Sequence, residues 1–354
     1  MRILWATRED RYNPNRNTYH RLYWRAQEVH GHECDLLGRN DCLYPWRLYI
    51  KIKQYKHDVL FIGNFVTFWA VWLRILRLTR LPLINCWNET LREASPWADL
   101  PQWQFSLIIP LLRKIEIFDA IHSDGSITPV LQNAALGREY GAKNIYYLLN
   151  AHAPNPKTES SVKLEGENFK VAYLGDQRGW NRKNIGKTFE AVAGEECTLY
   201  MIDDIHEPTK QRAPKNVVFT GPVPADEVHA VLLQADCLIN GTDQDSDLKN
   251  GEYILAGKPL LAYRGRGMHE HVYTHLHNAY IAENMKEGLR TLMADKNLRD
   301  RLGANIQKLP VKSFDERADI MLELIEKITI EKNRNESTIL KNPEKSVSCI
   351  TIVE

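Results

Sequence analysis

Short apolar runs alternate with segments of helical spacing in two series along this chain, and that alternation constrains the fold more than any other feature. In the first series, strands are predicted at Arg2–Ala6, His57–Gly63 and Leu83–Cys86, and the strongly apolar segment Val66–Leu78 lies between the last two as a helix. Consecutive parallel strands need a crossover segment, and a helix is the usual one. The first half is therefore predicted to form a doubly wound parallel sheet.

A polar stretch separates the two series. A strand at Asn144–Leu149 ends in the sequence NAHAP, residues 156–168 are mostly polar, and a second alternation starts at Phe169. With 354 residues, the chain is long enough for two separate cores. We predict one α/β domain over residues 1–150 and another over residues 169–310.

The C-terminal part is predicted to hold one helix and a tail. Apolar residues recur at helical spacing from Phe314 to Ile330, so residues 313–332 are assigned to a C-terminal helix. Residues 333–354 are assigned as a linker and tail, because they are polar as far as Ser346. The strand-like ending SVSCITIV leaves two interpretations open, a tail strand or the first strand of a further domain.

Composition excludes several classes of protein. Hydrophobic residues make up 44% and charged residues 26% of the chain, values that are typical of a folded soluble protein rather than a disordered one. The N-terminal strand is followed at once by charged residues, so we expect no secretory leader. The six cysteines are scattered without a C-x-x-C pair, which favours free thiols in a reducing compartment over a zinc site. A cytoplasmic location is the resulting expectation.

Charge and tryptophan are distributed unevenly between the two halves. Residues 1–150 contain 19 Lys and Arg against 14 Asp and Glu, whereas the remainder contains 27 against 31, and eight of the nine tryptophans lie in the first half. This distribution is compatible with a negatively charged or sugar-bearing acceptor bound by the first domain. The segment Phe65–Arg80 mixes aromatic residues with arginines. It predicts either an amphipathic patch for a lipid-linked acceptor at a membrane face or a buried helix that packs on the sheet and ends in basic residues.

The segment Lys249–Pro259, KNGEYILAGKP, carries the clearest chemical pattern. Asn250 and Gly251 suit the start of a helix, and Glu252 falls in its first turn, where the helix dipole favours an anion. The Gly-Lys-Pro that follows ends the helix and leads into another buried strand. A helix between two parallel strands points its amino end at the edge where open α/β sheets bind ligands, so Lys249 and Glu252 are predicted at a binding site.

This pattern resembles the nucleotide-sugar site of GT-B glycosyltransferases of the retaining family-4 type, which carry a comparable K-x-x-E-Y-x-x-x-G-K-P motif. The stretch from Val171 to Val192 is similar to that family's strand, glycine, two basic residues and helix, and Asn216 to Asn240 is similar to its next strand-glycine-helix-strand unit. The resemblance covers about residues 150–330. It implies an α/β GT-B fold, in which two Rossmann-like doubly wound parallel-sheet domains face each other across a cleft and the C-terminal helix crosses back to the first domain.

The resemblance also implies roles for individual residues. In such enzymes the glutamate at the position of Glu252 holds the ribose hydroxyls of the donor nucleotide, and a lysine at the position of Lys249 lies near its phosphates. Arg178 and Lys183 stand at the two basic positions and are predicted to be catalytic, because they can neutralise the leaving diphosphate without a metal. The predicted donor-binding residues are Gly175, Arg178, Lys183, Gly221, Lys249, Asn250, Gly251 and Glu252.

Several features depart from the family pattern or add to it. Relatives often show E-x7-E, but Gln244 stands at the earlier position. Acidic residues at 243, 245 and 247 resemble the start of a calcium loop, yet Leu248 stands where that loop needs a glycine, so we predict no metal site. His122 follows the strand-like segment Asp119–Ile121 and is the third catalytic candidate, at a strand end facing the cleft. The first loop also lacks the glycine pair that many relatives have.

We predict a hexosyl- or pentosyltransferase that transfers a sugar from a nucleotide-sugar donor to a glycan or glycolipid, and the resemblance implies retention of configuration. The donor is a substrate, and no cofactor or metal is expected. One alternative is a glycosyltransferase that acts on a nucleic-acid base or nucleotide, suggested by the basic, Trp-rich first half. Another is a GT-B scaffold that binds a nucleotide or glycan without catalysis, suggested by Gln244 and the missing glycine pair. Peripheral membrane contact through the first domain is expected if the acceptor is lipid-linked.

Overall fold

The computed structural model describes residues 1–6, 18–37, 44–54, 56–63, 66–87, 102–149, 151–153, 155–175, 177, 183–242, 249–265, 270, 272–339 and 349–352. The chain forms two compact units. The first consists of Met1–Leu149 together with Phe314–Glu354, and the second of Asn150–Ser313. The second unit therefore includes residues 150–168, which the sequence pattern left between the two predicted domains.

The first unit is built on a seven-stranded sheet in which every neighbouring pair of strands is parallel. Its strands are β1 (Arg2–Ala6), β2 (Glu33–Leu37), β3 (Val59–Gly63), β4 (Leu83–Cys86), β5 (Gly125–Thr128), β6 (Asn144–Tyr147) and β13 (Cys349–Ile352). They lie in the order β13-β6-β5-β4-β3-β1-β2. The chain therefore winds outward in both directions from β1 and β3, as a doubly wound sheet does.

Helices cover both faces of this sheet, because successive strand residues point to opposite sides. Ile3 and Trp5 share a core with α1 (Thr18–Glu28) and α12 (Phe314–Ile339). Leu4 and Ala6 face the other core, with α2 (Pro45–Gln54) and α3 (Val66–Ile75). On that second face also lie α4 (Gln102–His122) and α5 (Leu131–Glu139). The C-terminal helix is thus an integral layer of the first unit.

The tail differs from the linker predicted for residues 333–354. Residues 333–339 continue α12, and Lys332 in the same helix lies 3.5 Å from the carboxylate of the buried Asp124. Residues 349–352 form β13, which pairs in parallel with β6 in the register Cys349 with Asn144. Of the two open interpretations, the tail strand agrees with the structure, since the edge of β6 offers backbone groups for such a strand to pair with.

The second unit is a six-stranded parallel sheet with a core on each face. Its strands are β7 (Phe169–Leu174), β8 (Cys197–Ile202), β9 (Val217–Gly221), β10 (Cys237–Asn240), β11 (Leu260–Tyr263) and β12 (Tyr280–Ala282), in the order β12-β11-β10-β7-β8-β9. Its helices are α6 (Ile185–Val192), α7 (Glu207–Lys210), α8 (Val228–Leu232), α9 (Lys249–Ala256), α10 (Met285–Ala294) and α11 (Lys296–Ile306). The chain reverses its direction of travel across the sheet between β7 and β10. Ligands of such sheets bind outside the carboxyl ends of the strands at that switch point.

No helix in the described part of the chain combines the length and the hydropathy that crossing a bilayer requires.

Candidate functional site

The amino end of α9 lies beside the switch point of the second sheet. This helix starts at Lys249, between β10 and β11, as the sequence pattern predicts. Gly251 allows another segment of chain to pass very close: a Cβ atom at this position would lie 2.5 Å from the carbonyl carbon and oxygen of Ala151. Only glycine lets that backbone approach the helix. We call the first turn of α9, Gly175 and the segment 151–153 the α9 site.

Glu252 is the central acidic group of the α9 site. Its side chain is buried, with 7% exposed, and its Oε1 accepts a hydrogen bond of 2.6 Å from the backbone N–H of Ala153. Among the described residues, no donor reaches the buried Oε2. Burial raises the pKa of Glu252 to about 7, and the Ala153 hydrogen bond opposes that rise. A buried acceptor without a partner is costly, so this oxygen is suited to receive a hydroxyl group from a ligand.

Lys249 brings positive charge to the same place. Its side chain is buried, and its Nζ lies 4.2 Å from the centre of the Tyr173 ring near the end of β7. This is the geometry of a cation–π interaction. Gly175 follows β7 with a φ of +126°, and a Cβ atom there would come within 4.0 Å of the Lys249 side chain. The glycine and the lysine predicted from separate motifs therefore meet in the fold.

Buried polar side chains hold the ends of β7 and β10 to α9. The hydroxyl of Tyr253 accepts a hydrogen bond from the N–H of Leu174 at 2.9 Å and donates one to the carbonyl of Ile239 at 3.1 Å. Asn240 donates from Nδ2 to Oδ1 of Asn250 at 3.1 Å. Asn250 therefore makes a supporting contact in the first turn of α9, and its predicted role in donor binding stays a prediction. The linking role of Tyr253 was missed by sequence reasoning, although a tyrosine in a buried helix signals a need for hydrogen-bond partners.

Lys183 is buried immediately before α6, on the loop that follows β7. Its backbone is close to the carboxyl end of β10, because a Cβ atom at Gly241 would lie 3.1 Å from the carbonyl oxygen of Asn184 and 3.6 Å from that of Lys183. The same loop contains Gln177, whose buried Oε1 accepts the N–H of His206 at 3.2 Å. Lys183 therefore lies on a loop that reaches the switch point.

Two other predicted positions lie elsewhere or outside the described residues. Gly221 ends β9 with a φ of +77°, and β8 separates it from β7, so the structure does not bring it to the first turn of α9. Arg178 is outside the described residues, as are Gln244 and the acidic residues at 243, 245 and 247. The part of the chain that is described contains no cluster of three or more His, Cys, Asp and Glu side chains arranged to hold a metal ion.

The predicted position of His122 at a strand end is wrong. Asp119–Ile121 belongs to α4, and His122 is its last residue. The stretch 119–121 resembled a strand because three residues are too few for their spacing to distinguish a strand from a helix. The His122 ring packs edge-on against Phe118, with ring centres 4.8 Å apart, and burial together with Lys143 lowers its pKa. It precedes β5 and so lies at the amino edge of the first sheet, opposite to the edge where ligands bind.

Two histidines near the α9 site were not singled out from the sequence. His152 lies between Ala151 and Ala153, and its Nδ1 is 2.8 Å from the carbonyl oxygen of Ala153. The pKa of His229 in α8 is lowered, first by burial and second by electrostatic interaction with His152. The only sequence signal was the NAHAP turn, which gave no reason to place it against a helix one hundred residues later.

Comparison with known proteins rests on structure. No family model and no curated protein matches the chain. Its structure is similar to HepE of Anabaena in complex with UDP-glucose, with a TM-score of 0.64 and 13% identity over 96% of this chain and 100% of that one. It is also similar to sucrose-phosphate synthase of Thermosynechococcus elongatus, with a TM-score of 0.67 and 13% identity over 96% of this chain and 99% of that one. The fold is GT-B.

A third similar structure shows the limit of what the GT-B fold implies. A protein of Listeria monocytogenes provisionally described as a UDP-N-acetylglucosamine 2-epimerase has a TM-score of 0.54 and 11% identity over 98% of this chain and 99% of that one. One fold supports different reactions, so the function of this chain has to be argued from its own site.

Proposed function

We propose that the protein is a glycosyltransferase whose nucleotide-sugar donor binds at the α9 site. The observation that carries this proposal is the Glu252 carboxylate, which is buried in the first turn of a helix at the switch point, with one oxygen held by Ala153 and the other without a donor among the described residues. Two neighbouring ribose hydroxyls present the two donors that such a carboxylate can accept. Glycosyltransferases of the resembled family use a glutamate in this way.

The positive groups around Glu252 suit the rest of a nucleoside diphosphate sugar. Lys249 and the amino end of α9 place positive charge near the diphosphate, and Lys183 before α6 adds a second cation. In the reaction, the bond between the anomeric carbon and the diphosphate oxygen breaks, and an acceptor hydroxyl bonds to that carbon and passes its proton to the leaving diphosphate. Negative charge grows on the leaving diphosphate, so Lys183 and Arg178 stabilise the transition state more than the ground state.

Finer features of the reaction are part of the same proposal. Retention of configuration follows from the family resemblance of the Lys249–Pro259 motif. The transferred sugar is a hexose or a pentose, and the acceptor is a glycan or a glycolipid. The cations and helix ends of the site supply the charge that a divalent metal supplies elsewhere, so activity is expected to survive chelation. A reducing, cytoplasmic compartment is supported by the free thiols Cys34, Cys197 and Cys237.

Two matched variants test the donor site. Glu252→Ala removes the acceptor of two ligand hydroxyls, and we expect the affinity for nucleoside diphosphates to fall by roughly 30-fold or more, because two buried hydrogen bonds are lost. Glu287→Ala is the control, since Glu287 also lies in the first turn of a helix but is exposed. Calorimetric titration of UDP, GDP and ADP into each variant measures the effect. Equal affinity in both variants would exclude Glu252 from the site.

The products separate the possible reactions. Incubation of the full chain with a nucleotide sugar and candidate acceptors, followed by mass spectrometry, is expected to show a glycosylated acceptor and free nucleoside diphosphate. Donor that is bound but neither hydrolysed nor transferred would support the non-catalytic scaffold instead. An epimerised nucleotide sugar without transfer would indicate the reaction suggested for the Listeria protein. Transfer to nucleotides or nucleic acid would support the second acceptor class.

A further inference from the structure

Three neighbouring helices of the first unit expose large apolar side chains. The described part of the second unit exposes three large apolar side chains, those of Ile205, Val218 and Leu276. In the first unit, the exposed apolar side chains are concentrated on α2, on α3 with the turn that follows it, and on α4. The exposed residues there are Tyr44, Trp46, Ile50, Trp72, Ile75, Leu76, Leu78, Trp103, Leu107, Leu111 and Ile121. A patch of this kind on a folded protein marks an interaction surface.

The inner sides of these helices pack on one face of the sheet, so their outer sides share one surface. Leu48 of α2 and Val71 of α3 lie in the core that contains Leu4 of β1. Phe118 of α4 contacts that core, and its ring centre is 5.6 Å from that of Trp72 in α3. The outward residues are also ordered. Trp46 and Ile50 are four residues apart, as are Trp103, Leu107 and Leu111, so each set forms a ridge along its helix.

Positive charge predominates on this surface, although Arg74 is paired with the buried Asp124. From Tyr44 to Arg80 the chain has seven Lys and Arg, and its one acidic residue is Asp58. Asp58 already accepts a hydrogen bond of 2.7 Å from the backbone N–H of Arg2. In α4 both acidic residues, Glu116 and Asp119, are buried, whereas Arg113 and Lys114 are exposed, with Arg113 3.4 Å from the exposed Glu139 of α5. Aromatic and aliphatic ridges among basic side chains match the chemistry of an anionic lipid surface.

We propose that the outer side of α2, α3 and α4 is a docking surface for a bilayer with anionic headgroups. The helices lie along the interface, the apolar ridges enter the region between headgroups and acyl chains, and the basic side chains meet lipid phosphates. We call this surface the lipid-docking face. All its residues belong to the first unit, whereas the proposed donor site lies in the second, so the two proposals can fail separately.

Vesicle co-sedimentation of the full chain tests the lipid-docking face. We expect binding to vesicles of phosphatidylcholine mixed with phosphatidylglycerol, weaker binding as salt rises, and little binding to phosphatidylcholine alone. Ile50→Glu with Leu107→Glu should abolish sedimentation with the anionic vesicles. The matched control is Ile330→Glu with Val218→Glu: Ile330 is 51% exposed, close to the 55% of Ile50, and lies on α12 across the sheet. Equal loss in the two double variants would overturn the proposal.

A second pair of variants keeps the test independent of apolar packing. Lys53→Glu with Arg80→Glu should weaken binding to anionic vesicles by at least roughly 30-fold, since each basic residue near a lipid surface contributes about fivefold. Lys210→Glu with Lys215→Glu, in the second unit, adds the same charge and should weaken it far less. Unchanged binding in the first pair would overturn the proposal. Salt-sensitive binding of single-stranded DNA without any binding to vesicles would also overturn it. So would a dimer that forms without lipid and that the double variant Ile50→Glu with Leu107→Glu dissociates.

Discussion

At the scale of single residues, the protonation of Glu252 links stability to the proposed function. Burial raises the pKa of the Glu252 carboxyl group to about 7. At a pH between 4.5 and about 7, this group therefore keeps its proton in the folded state and loses it in the unfolded state. Without a ligand, the ionised carboxylate is therefore a destabilising element of the fold. A donor whose hydroxyls bind that carboxylate compensates for its burial, so ligand binding and folding share one residue.

This coupling predicts a pH dependence of stability. Between the ordinary pKa of 4.5 and the folded value of about 7, the folded state holds more protons than the unfolded state, so stability from this group falls as pH rises. The fall is on the order of 3 kcal/mol across that window. In the variant Glu252→Gln, this fall in stability with rising pH should disappear. Melting temperatures of the wild type and Glu252→Gln from pH 5 to pH 8 measure the difference, and parallel curves would contradict the raised pKa.

At the scale of elements, the α9 site depends on how close the segment 151–153 comes to its helix. Gly251 provides the space, and the Ala153 N–H then reaches Glu252 at 2.6 Å. The segment is held from its other side as well, because the N–H of His152 donates to the carbonyl of Lys312 at 3.0 Å. The first turn of α9 and the segment 151–153 are thus held together within the second unit.

Gly251→Ala tests this close approach. Alanine favours a helix by about 1 kcal/mol relative to glycine. The added Cβ would, however, clash with the Ala151 carbonyl. Relief of that clash must move the Ala153 N–H away from Glu252. We expect a net loss of about 1–3 kcal/mol in stability and a clear loss of donor affinity. Gly288→Ala in α10 is the control, because its Cβ meets the Leu261 side chain and the Tyr280 ring. It should lower the melting temperature without changing donor affinity, whereas equal donor affinity in both variants would contradict the role of Gly251.

At the scale of the whole molecule, the N-terminal and C-terminal segments of the sequence belong to one unit. The C-terminal helix α12 contributes Met321, Leu322, Ile325 and Ile328 to the core under β1 and β3. Arg25 in α1 also forms a bidentate ion pair with Asp319 in α12, with both distances 2.6 Å. The first unit cannot therefore be completed until the end of the chain has been added.

Two truncations separate the contributions of α12 and β13. Removal of residues 313–354 takes at least these four large buried side chains from the core, and they alone are worth about 6–12 kcal/mol, which is comparable to the whole stability of a domain. We expect no soluble protein. Removal of residues 334–354 leaves those side chains in place but exposes the edge of β6, so we expect a folded protein with a lower melting temperature and a tendency to self-associate.

Melting curves and light scattering of the two truncations give the result. An unchanged melting temperature and a monomeric state after removal of residues 334–354 would show that β13 contributes nothing to the first sheet. A soluble, cooperatively folding protein after removal of residues 313–354 would contradict the role of α12.

Much of the fold and part of the site could be predicted from the sequence by itself. The alternation of strands and helices, the start of α9 at Lys249 and the position of Glu252 in its first turn are local patterns, and periodicity and capping report them directly. Short segments were less certain. Residues 119–121 resemble a strand but are helical. Three residues are too few for their spacing to distinguish a strand from a helix, so packing decides.

Tertiary structure decided the features that join distant segments. The Ala153 contact to Glu252, the position of Lys249 over Tyr173 and the Tyr253 bridge between β7 and β10 each join residues far apart in sequence, and no local pattern encodes them. The same holds for β13, whose pairing depends on a free edge at β6. The sequence determined which elements form, because that choice is local; the fold determined which of their side chains meet, because that depends on how the sheets are ordered.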